Sequence, residues 1–404
     1  MVTSYQKEIL KAIGGGLDTR KALIEAFPRG TIDYSISSLK NQEYLTQVTK
    51  ERKATFVLTQ KAKSLIENDK DVALTMKPQE VMDLFENELS KQIAMKDTML
   101  KQILLTLPFC NGQYGRNSVG IFAHVIGDYG RGKSILAQLY KEIFPPSKYS
   151  YIDCRDIFSD AGVEAKFRKL SESNPHIYIV DEVGNLRGVK LRAMLQYIEN
   201  HEYPAIIMGN PAGVKSDYET DSFTNWLTNA LQKDQQTGES FLNRIHLMVF
   251  MPKLTKEERL AVPEIIFSTD TQDLSQVRAY IARQRVKSPQ PTPEAFEWMN
   301  SLVETTLDIV EDEPVIKKTK TITTQGKMTT MEFREDLSHF TNGKSATRLI
   351  ISLISLARGR ALLEDSEKIE KSHFDWAFSA KFHFLKQRYN YDFLKVVEKR
   401  MGGR

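Results

Sequence analysis

The segment GDYGRGKS, residues 127–134, constrains the fold of this chain more than any other feature of the sequence. It follows the apolar run at residues 119–126 and opens the helix-patterned run SILAQLYKEIF. Its glycines allow close turns of the backbone, so that successive amides can converge on an anion. The spacing G-x-x-x-x-G-K-S between a strand and a helix therefore predicts a phosphate-binding loop.

The residues of this loop have distinct expected roles. Its backbone would surround the phosphates of a nucleotide, and it comprises Gly127, Asp128, Tyr129, Gly130, Arg131, Gly132, Lys133 and Ser134. Lys133 would reach the β- and γ-phosphates, and Ser134 would offer its hydroxyl to Mg²⁺. The dipole of the following helix adds to the attraction for anions. A nucleotide and Mg²⁺ are therefore the predicted ligands, and the family resemblance given below implies that the nucleotide is ATP.

Two later strand ends carry polar residues that would complete such a site. The run HIYIVDE, residues 176–182, places Asp181 at the end of an apolar strand, where its carboxylate would hold Mg²⁺. Glu182 would orient and activate the attacking water, although an Asp-Glu pair is also a common helix cap. Asn210 follows the next apolar run, AIIM, and would lie between the γ-phosphate and Glu182. An Asn-Pro pair equally favours a plain turn.

The order of the apolar runs predicts the fold class. Candidate strands alternate with helical stretches, which is typical of an α/β protein with a parallel sheet flanked by helices. The strands are predicted at residues 119–126, 149–152, 177–180, 205–208 and 245–251. After about residue 274 the strands stop and helices dominate. The charged, Lys- and Thr-rich residues 311–330 predict an exposed loop or hairpin.

The first 68 residues follow a different pattern. Helices are predicted at residues 5–13, 19–27 and 31–42, and β-rich runs follow at residues 44–49 and 54–59. This order resembles a winged helix-turn-helix, whose third helix would face a DNA groove and whose hairpin turn would reach phosphates. The predicted DNA contacts are Ser35, Ser38 and Lys40 on the helix and Lys50, Arg52 and Lys53 at the turn. Winged helices also serve in protein docking and dimerisation, and that alternative stays open.

The distribution of charge is weak support for a polyanionic partner of this segment. The whole chain carries 56 Lys and Arg against 52 Asp and Glu, a net charge of +4. Residues 1–68 hold 11 basic and 7 acidic residues, so the excess lies there. A solvated basic surface would have the same composition.

Composition also limits the setting in which the chain works. Its two cysteines, Cys110 and Cys154, are too few for a disulfide scaffold or a cysteine-rich metal site. No apolar stretch approaches the ~20 residues of a membrane span, and the N-terminus has no secretory pattern. We therefore expect a cytoplasmic, reducing location and no membrane partner.

In their order, these segments resemble an AAA+ ATPase, and more closely the MCM family of replicative DNA helicases. The resemblance covers most of residues 85–380 and includes IAMKDTMLKQILLTLPF, the phosphate loop, YIVDE and GNPAG. FLNRIHLMVF is similar to a strand of that family, which implies that Arg244 is an arginine finger. Residues 277–296 and 344–378 resemble the start and end of a helical lid, which implies that Arg348 is a second sensor arginine.

The resemblance implies an activity and an assembly. In that family both arginines act across a subunit boundary, where their charge offsets the negative charge of the transferring phosphoryl group. It implies a homo-oligomeric ring that hydrolyses ATP and acts on duplex or single-stranded DNA, as a helicase of a mobile element, plasmid or virus. Two alternatives stay open: a replication initiator or loader, and a DNA-binding regulator, each using ATP as an assembly switch without unwinding.

The chain also departs from the family. There is no room for the family's channel hairpins between residues 134 and 177 or between 182 and 205, which puts translocation in question. The predicted domains are a winged helix at 1–68, a linker at 69–80, an AAA+ α/β domain at 81–274, and a helical lid with a basic tail at 275–404. The tail from residue 381 could contact DNA or pack as an amphipathic segment.

Overall fold

The structure is a computed structural model of the 404-residue chain. It describes residues 6, 9–10, 12–13, 19–27, 29–50, 53–59, 76–93, 96–110, 113–114, 117–118, 121–127, 132–144, 149–154, 162, 165, 177–181, 183, 194, 205–208, 244–251, 254–267, 273–285, 287–324, 327–341 and 345–402. The chain divides into two compact units, with a boundary between Thr75 and Met76. This boundary falls inside the predicted linker.

The first unit contains helices and a β-hairpin in the predicted order. Its elements are α1 (Arg20–Ala26), α2 (Arg29–Asn41), β1 (Leu45–Lys50) and β2 (Lys53–Leu58). The described residues of the predicted first helix, 6, 9–10 and 12–13, are also helical. Apolar residues spaced along these elements form one core, which comprises Ile9, Leu10, Ile13, Leu23, Ile32, Ile36, Leu39, Leu45 and Phe56.

A parallel β-sheet forms the centre of the second unit. After the short hairpin of β3 (Gln113–Tyr114) and β4 (Asn117–Ser118), the chain supplies β5 (Phe122–Ile126), β6 (Tyr149–Asp153), β7 (Ile177–Asp181), β8 (Ala205–Met208) and β9 (Leu247–Phe250). Among the described residues, these last five strands are all parallel, in the spatial order β6-β7-β8-β5-β9. The prediction of a mixed α/β fold with a parallel sheet is confirmed.

Burial along the strands agrees with their places in the sheet. β5 and β7 are buried at every position, as expected for inner strands of a sheet covered on both faces. β6 lies at an edge and is only partly buried. The continuous apolar runs FAHVI and IYIVD are therefore a consequence of two-sided burial.

In the part of the second unit that the structure describes, four helices precede or accompany the sheet. They are α3 (Pro78–Gln92), α4 (Thr98–Thr106), which continues into a 3-10 turn, α5 (Lys133–Ile143) and α6 (Lys256–Phe267). α3 begins within the predicted linker, with Pro78 in its first turn and Glu80 accepting a hydrogen bond from the Lys77 amide.

The C-terminal third is mainly helical, as predicted. It contains α7 (Ser275–Arg285), α8 (Pro293–Asp312), α9 (Ala346–Leu363), α10 (Lys371–Lys381), α11 (His383–Tyr389) and α12 (Phe393–Gly402). The aromatic residues of the predicted basic tail pack inward. The ring of Phe382 lies 4.7 Å from those of Phe378 and Phe393 between centroids, so this part of the tail packs as amphipathic helices.

Strands nevertheless continue beyond residue 274, where the sequence indicated that they stop. β10 (Gln290–Pro291) pairs with β13 (Lys368–Ile369), and β11 (Val315–Thr324) pairs with β12 (Lys327–Asp336) in an antiparallel hairpin. A hairpin was one of the two predictions for residues 311–330, but α8 runs to Asp312 and the hairpin extends to Asp336. No helix of the described part of the chain is long and apolar enough to cross a membrane.

Candidate functional site

Two predicted site residues lie at the carboxyl edge of the sheet. Gly127 directly follows β5, and Asp181 is the last residue of β7. Because the strands are parallel, these two strand ends share one edge, and β8 alone lies between them. Two inter-strand spacings separate the strands by about 10 Å. This edge is therefore wide enough for a phosphate chain and a small ion between the two residues.

Gly132 turns the chain into α5. It adopts a left-handed conformation with φ of 84°, and a Cβ there would lie 3.2 Å from Cγ2 of Ile93. Glycine is therefore required both by the backbone angle and by the neighbouring side chain. No side chain caps the helix at Gly132, so amides of the first turn are donors for an anion.

Lys133 and Ser134 are the first two residues of α5. The Lys133 ammonium donates a hydrogen bond to the carbonyl oxygen of Gly127, which closes the loop between β5 and α5. Ser134 is exposed. Both side chains are thus presented at the same helix start as the first-turn amides, as the motif predicted.

Asp181 is held by a residue that the motifs did not reveal. Its carboxylate is buried, with 6% exposure, and accepts a 2.9 Å hydrogen bond from the hydroxyl of Tyr151 on β6. Burial and the adjacent carboxylate raise the pKa of Tyr151 well above its ordinary value, so this hydroxyl stays a donor at neutral pH. The only signal in the sequence for this contact was the alternation YSY in the edge strand, which sets Tyr149 and Tyr151 on one face.

Tyr149 joins the edge strand to the helix of the phosphate loop. Its hydroxyl donates a 3.0 Å hydrogen bond to the carbonyl oxygen of Ala137 in α5. Burial, and secondarily the charge of Asp181, raises the pKa of Tyr149. The two tyrosines therefore connect β6 to the two elements that carry the predicted phosphate and Mg²⁺ ligands.

Several predicted residues lie outside the described part of the chain. They are Asp128, Tyr129, Gly130, Arg131, Glu182 and Asn210. Their positions in the chain are nevertheless fixed relative to the strands. Glu182 comes directly after β7, and Asn210 comes two residues after β8.

Arg244 lies at the amino edge of the sheet, opposite the carboxyl edge that carries Gly127 and Asp181. It precedes β9, whose amino end is fixed to β5 by two hydrogen bonds: the His246 amide donates to the Phe122 carbonyl at 2.8 Å, and the Phe122 amide donates to Nδ1 of His246 at 3.1 Å. Phe122 begins β5 and Gly127 follows its end, about 17 Å away at ~3.3 Å per residue. The structure therefore does not bring Arg244 to the phosphate loop of its own chain.

Arg348 lies near the same amino edge. It is in the first turn of α9, where its amide donates to the hydroxyl of Ser345. Burial, and secondarily the charges of Lys381 and Arg348, lower the pKa of His246 to about 3. The Lys381 ammonium donates to the His246 carbonyl at 2.8 Å. Arg348 and Lys381 thus both lie close enough to His246 for their charges to act on its ring, and Arg244 lies two residues before His246 in the chain.

The predicted DNA-contacting residues of the first unit are not all on the surface. Ser35 is buried, with 5% exposure, because it lies on the core side of α2, and its prediction as a DNA contact is therefore corrected. Ser38 is half-buried and accepts a hydrogen bond from Gln42. Lys40 is exposed and donates to Gln47 at 2.9 Å.

The exposed face of α2 also carries an aromatic residue and an acidic residue. Tyr34 has 79% exposure, and Asp33 accepts two hydrogen bonds from the guanidinium of Arg20. Lys50 and Lys53 are the last paired positions of the hairpin, at its turn. Arg52 lies outside the described residues.

The chain matches no known protein-family model, and no curated protein matches it. Within the described residues, no cluster of three or more His, Cys, Asp or Glu side chains is arranged to hold a metal ion.

Proposed function

We propose that this protein is an ATP-hydrolysing, DNA-acting protein of the AAA+ type, with an ATPase sheet, a helical lid and an N-terminal winged helix. The observation that carries the proposal is the carboxyl edge of the sheet. There Gly127, which begins the loop, and Asp181 lie at one edge with the strand β8 between them. If the strands that carry these two residues were antiparallel, Asp181 would lie at the opposite edge of the sheet from Gly127.

The residues present at this edge fit ATP and Mg²⁺. First-turn amides of α5 and the Lys133 ammonium would bind the phosphates. The Ser134 hydroxyl and the Asp181 carboxylate are oxygen ligands of the kind that Mg²⁺ prefers, and Tyr151 orients the carboxylate. When bound, Mg²⁺ would neutralise charge on the β- and γ-phosphates.

Two residues would act on the water and the γ-phosphate. Glu182, the residue after the Mg²⁺ ligand, would accept a proton from the attacking water. Asn210 follows β8, which lies between the strands of the loop and of Asp181, so its amide would hold the water in line with the γ-phosphate. These roles rest on strand order and sequence position.

Completion of the site would need a second copy of the chain. Arg244 and Arg348 both lie near the amino edge of the sheet, about one strand length from the loop. A guanidinium at that edge would reach the γ-phosphate of a neighbouring subunit, which favours a ring in which each interface forms one site. This agrees with the role that the family resemblance implies.

Mixing two inactive variants tests this arrangement. Lys133→Ala removes the phosphate ligand and Arg244→Ala removes the arginine, so each variant alone should lose ATP hydrolysis. In an equal mixture, roughly a quarter of the interfaces of a ring would combine an intact loop with an intact arginine. Activity should therefore return in part. Lys133→Ala mixed with the double variant Lys133→Ala/Arg244→Ala is the control, and it should stay inactive.

The first unit would bring the ATPase to DNA. Arg52→Ala together with Lys53→Ala should weaken duplex binding and make its salt dependence shallower by roughly one to two units. Strand displacement on a forked duplex distinguishes a helicase from an initiator or loader. Unwinding that Glu182→Gln abolishes would support a motor, whereas DNA-stimulated hydrolysis without unwinding would support the assembly switch.

A further inference from the structure

The hairpin of β11 and β12 is not used by the proposed ATPase chemistry. Ten residues of β11 pair with ten of β12, from Val315 with Asp336 to Thr324 with Lys327. At ~3.3 Å per residue the ribbon is about 33 Å long, whereas strands of five to six residues are usual. Among the described residues, no third strand joins this sheet.

The base of the hairpin is anchored in the helical region. Ile316 near the start of β11 is buried, and so is Leu337 directly after β12. The Leu337 amide donates a 2.7 Å hydrogen bond to the carbonyl oxygen of Pro314. An isolated two-stranded ribbon is marginally stable in water, and this anchorage fixes one end of the ribbon to the core.

Charge is divided between two segments of the hairpin. Residues 317–330, which comprise most of β11 and the start of β12, contain four lysines and no acidic residue. The acidic residues of β12, Glu332, Glu335 and Asp336, pair with Thr319, Ile316 and Val315. Lys318 and Lys320 occupy alternate positions of β11 and therefore one face of the ribbon, whereas Glu332, opposite Thr319, occupies the other face. Residues 317–330 are thus a cationic segment with hydroxyl-bearing threonines between its lysines.

We propose that this cationic segment contacts the phosphodiester backbone of DNA. A segment with charge +4 and no acid complements a polyphosphate, and a two-stranded ribbon fits the major groove of a duplex. The proposal deepens the proposed function, because it rests on DNA being the substrate. It also supplies a second DNA contact, in the second unit, besides that expected of the first unit.

Salt dependence of DNA binding tests the proposal. The test variant is Lys318→Gln/Lys320→Gln, and the matched control is Lys256→Gln/Lys368→Gln, which removes two exposed lysines of the same unit. Binding to a fluorescein-labelled duplex and to its single strand is measured by anisotropy at several salt concentrations without nucleotide. ATP hydrolysis without DNA is measured in parallel.

Loss of two phosphate contacts in Lys318→Gln/Lys320→Gln should make the slope of log K against log salt shallower by about 1.8 units. At about 0.1 M salt this variant should bind DNA roughly 60-fold more weakly than the wild type does. The control should keep the wild-type slope, and Lys318→Arg/Lys320→Arg should restore it. ATP hydrolysis without DNA should be unchanged in all variants. This pattern on either DNA would support the contact.

Two outcomes would overturn the proposal. One is an unchanged slope on both DNAs. The other is self-association of the Gln variant with unchanged DNA binding, since lysines also keep unpaired strand edges from joining one another. A wild type that binds DNA through these lysines but hydrolyses no ATP would instead refute the proposed ATPase and leave the hairpin contact standing.

Discussion

Lys381 should make the stability of the second unit depend on pH in the neutral to alkaline range. Its side chain is buried at the end of α10, and its ammonium donates to the carbonyl oxygen of His246. Burial lowers the pKa of Lys381 from 10.5 to about 7, because removal of water penalises the charged form more than the neutral form.

The direction of the effect follows from proton binding. The unfolded chain keeps the Lys381 proton up to a pKa of 10.5, whereas the folded chain releases it near 7. The unfolded state therefore binds more protons between these values, and the free energy of unfolding rises with pH in that window. The slope is up to about 1.4 kcal/mol per pH unit, or roughly 4 kcal/mol over three units.

Urea unfolding followed by circular dichroism across this window measures the slope. Lys381→Met keeps the length of the side chain and removes the titrating group, so its free energy of unfolding should be flat where that of the wild type rises. The lost hydrogen bond to His246 should cost about 1–3 kcal/mol at high pH. Lys395→Met is the control, because the Lys395 side chain is 79% exposed and its ammonium is in water in both states.

Parallel curves for the wild type and Lys381→Met would refute this reasoning, because they would mean that burial of Lys381 does not change its proton affinity.

The loss of stability at acid pH gives an independent test of the contact between Lys381 and His246. The pKa of His246 is lowered to about 3, in part by the charge of Lys381. Between that value and the ordinary histidine pKa of 6.5 the unfolded state binds more protons, so the free energy of unfolding falls as pH falls. Lys381→Met should reduce that acid loss.

Three further substitutions test packing and the candidate site. Gly359→Ala places a Cβ 2.5 Å from Sγ of Cys110 and should lower the free energy of unfolding, measured in urea, by about 1–3 kcal/mol. Adding Cys110→Ala to this variant should recover part of the lost stability, and no recovery would contradict a steric clash between the two side chains. Gly132→Ala should cost about 1–2 kcal/mol of stability from its left-handed backbone and weaken binding of a fluorescent ATP analogue; equal affinity would argue against the loop as a phosphate site. Tyr151→Phe removes the hydroxyl that donates to the strand-end carboxylate and should raise the Mg²⁺ concentration for half-maximal ATPase activity, whereas Tyr149→Phe should leave it unchanged.

Local patterns in the sequence were sufficient for the elements of the fold. Five apolar runs predict the five parallel strands, and each strand lies within two or three residues of its predicted ends. The glycine spacing predicts the turn into α5, because only a residue without a Cβ tolerates the φ of Gly132 beside Ile93. These features depend on residues near one another in the chain, so periodicity and turn chemistry determine them.

Tertiary structure decided which of these elements meet. The sequence places β8 after β7, but only the sheet shows β8 between β5 and β7, and only the sheet separates Arg244 from Lys133 of the same chain. The hydrogen bond from Tyr151 to Asp181 joins residues thirty positions apart. Ser35 lies beside the apolar stripe of α2 and is buried, although serine is usually exposed. Strand order, burial of single polar residues and side-chain pairing depend on long-range packing, which no local pattern encodes.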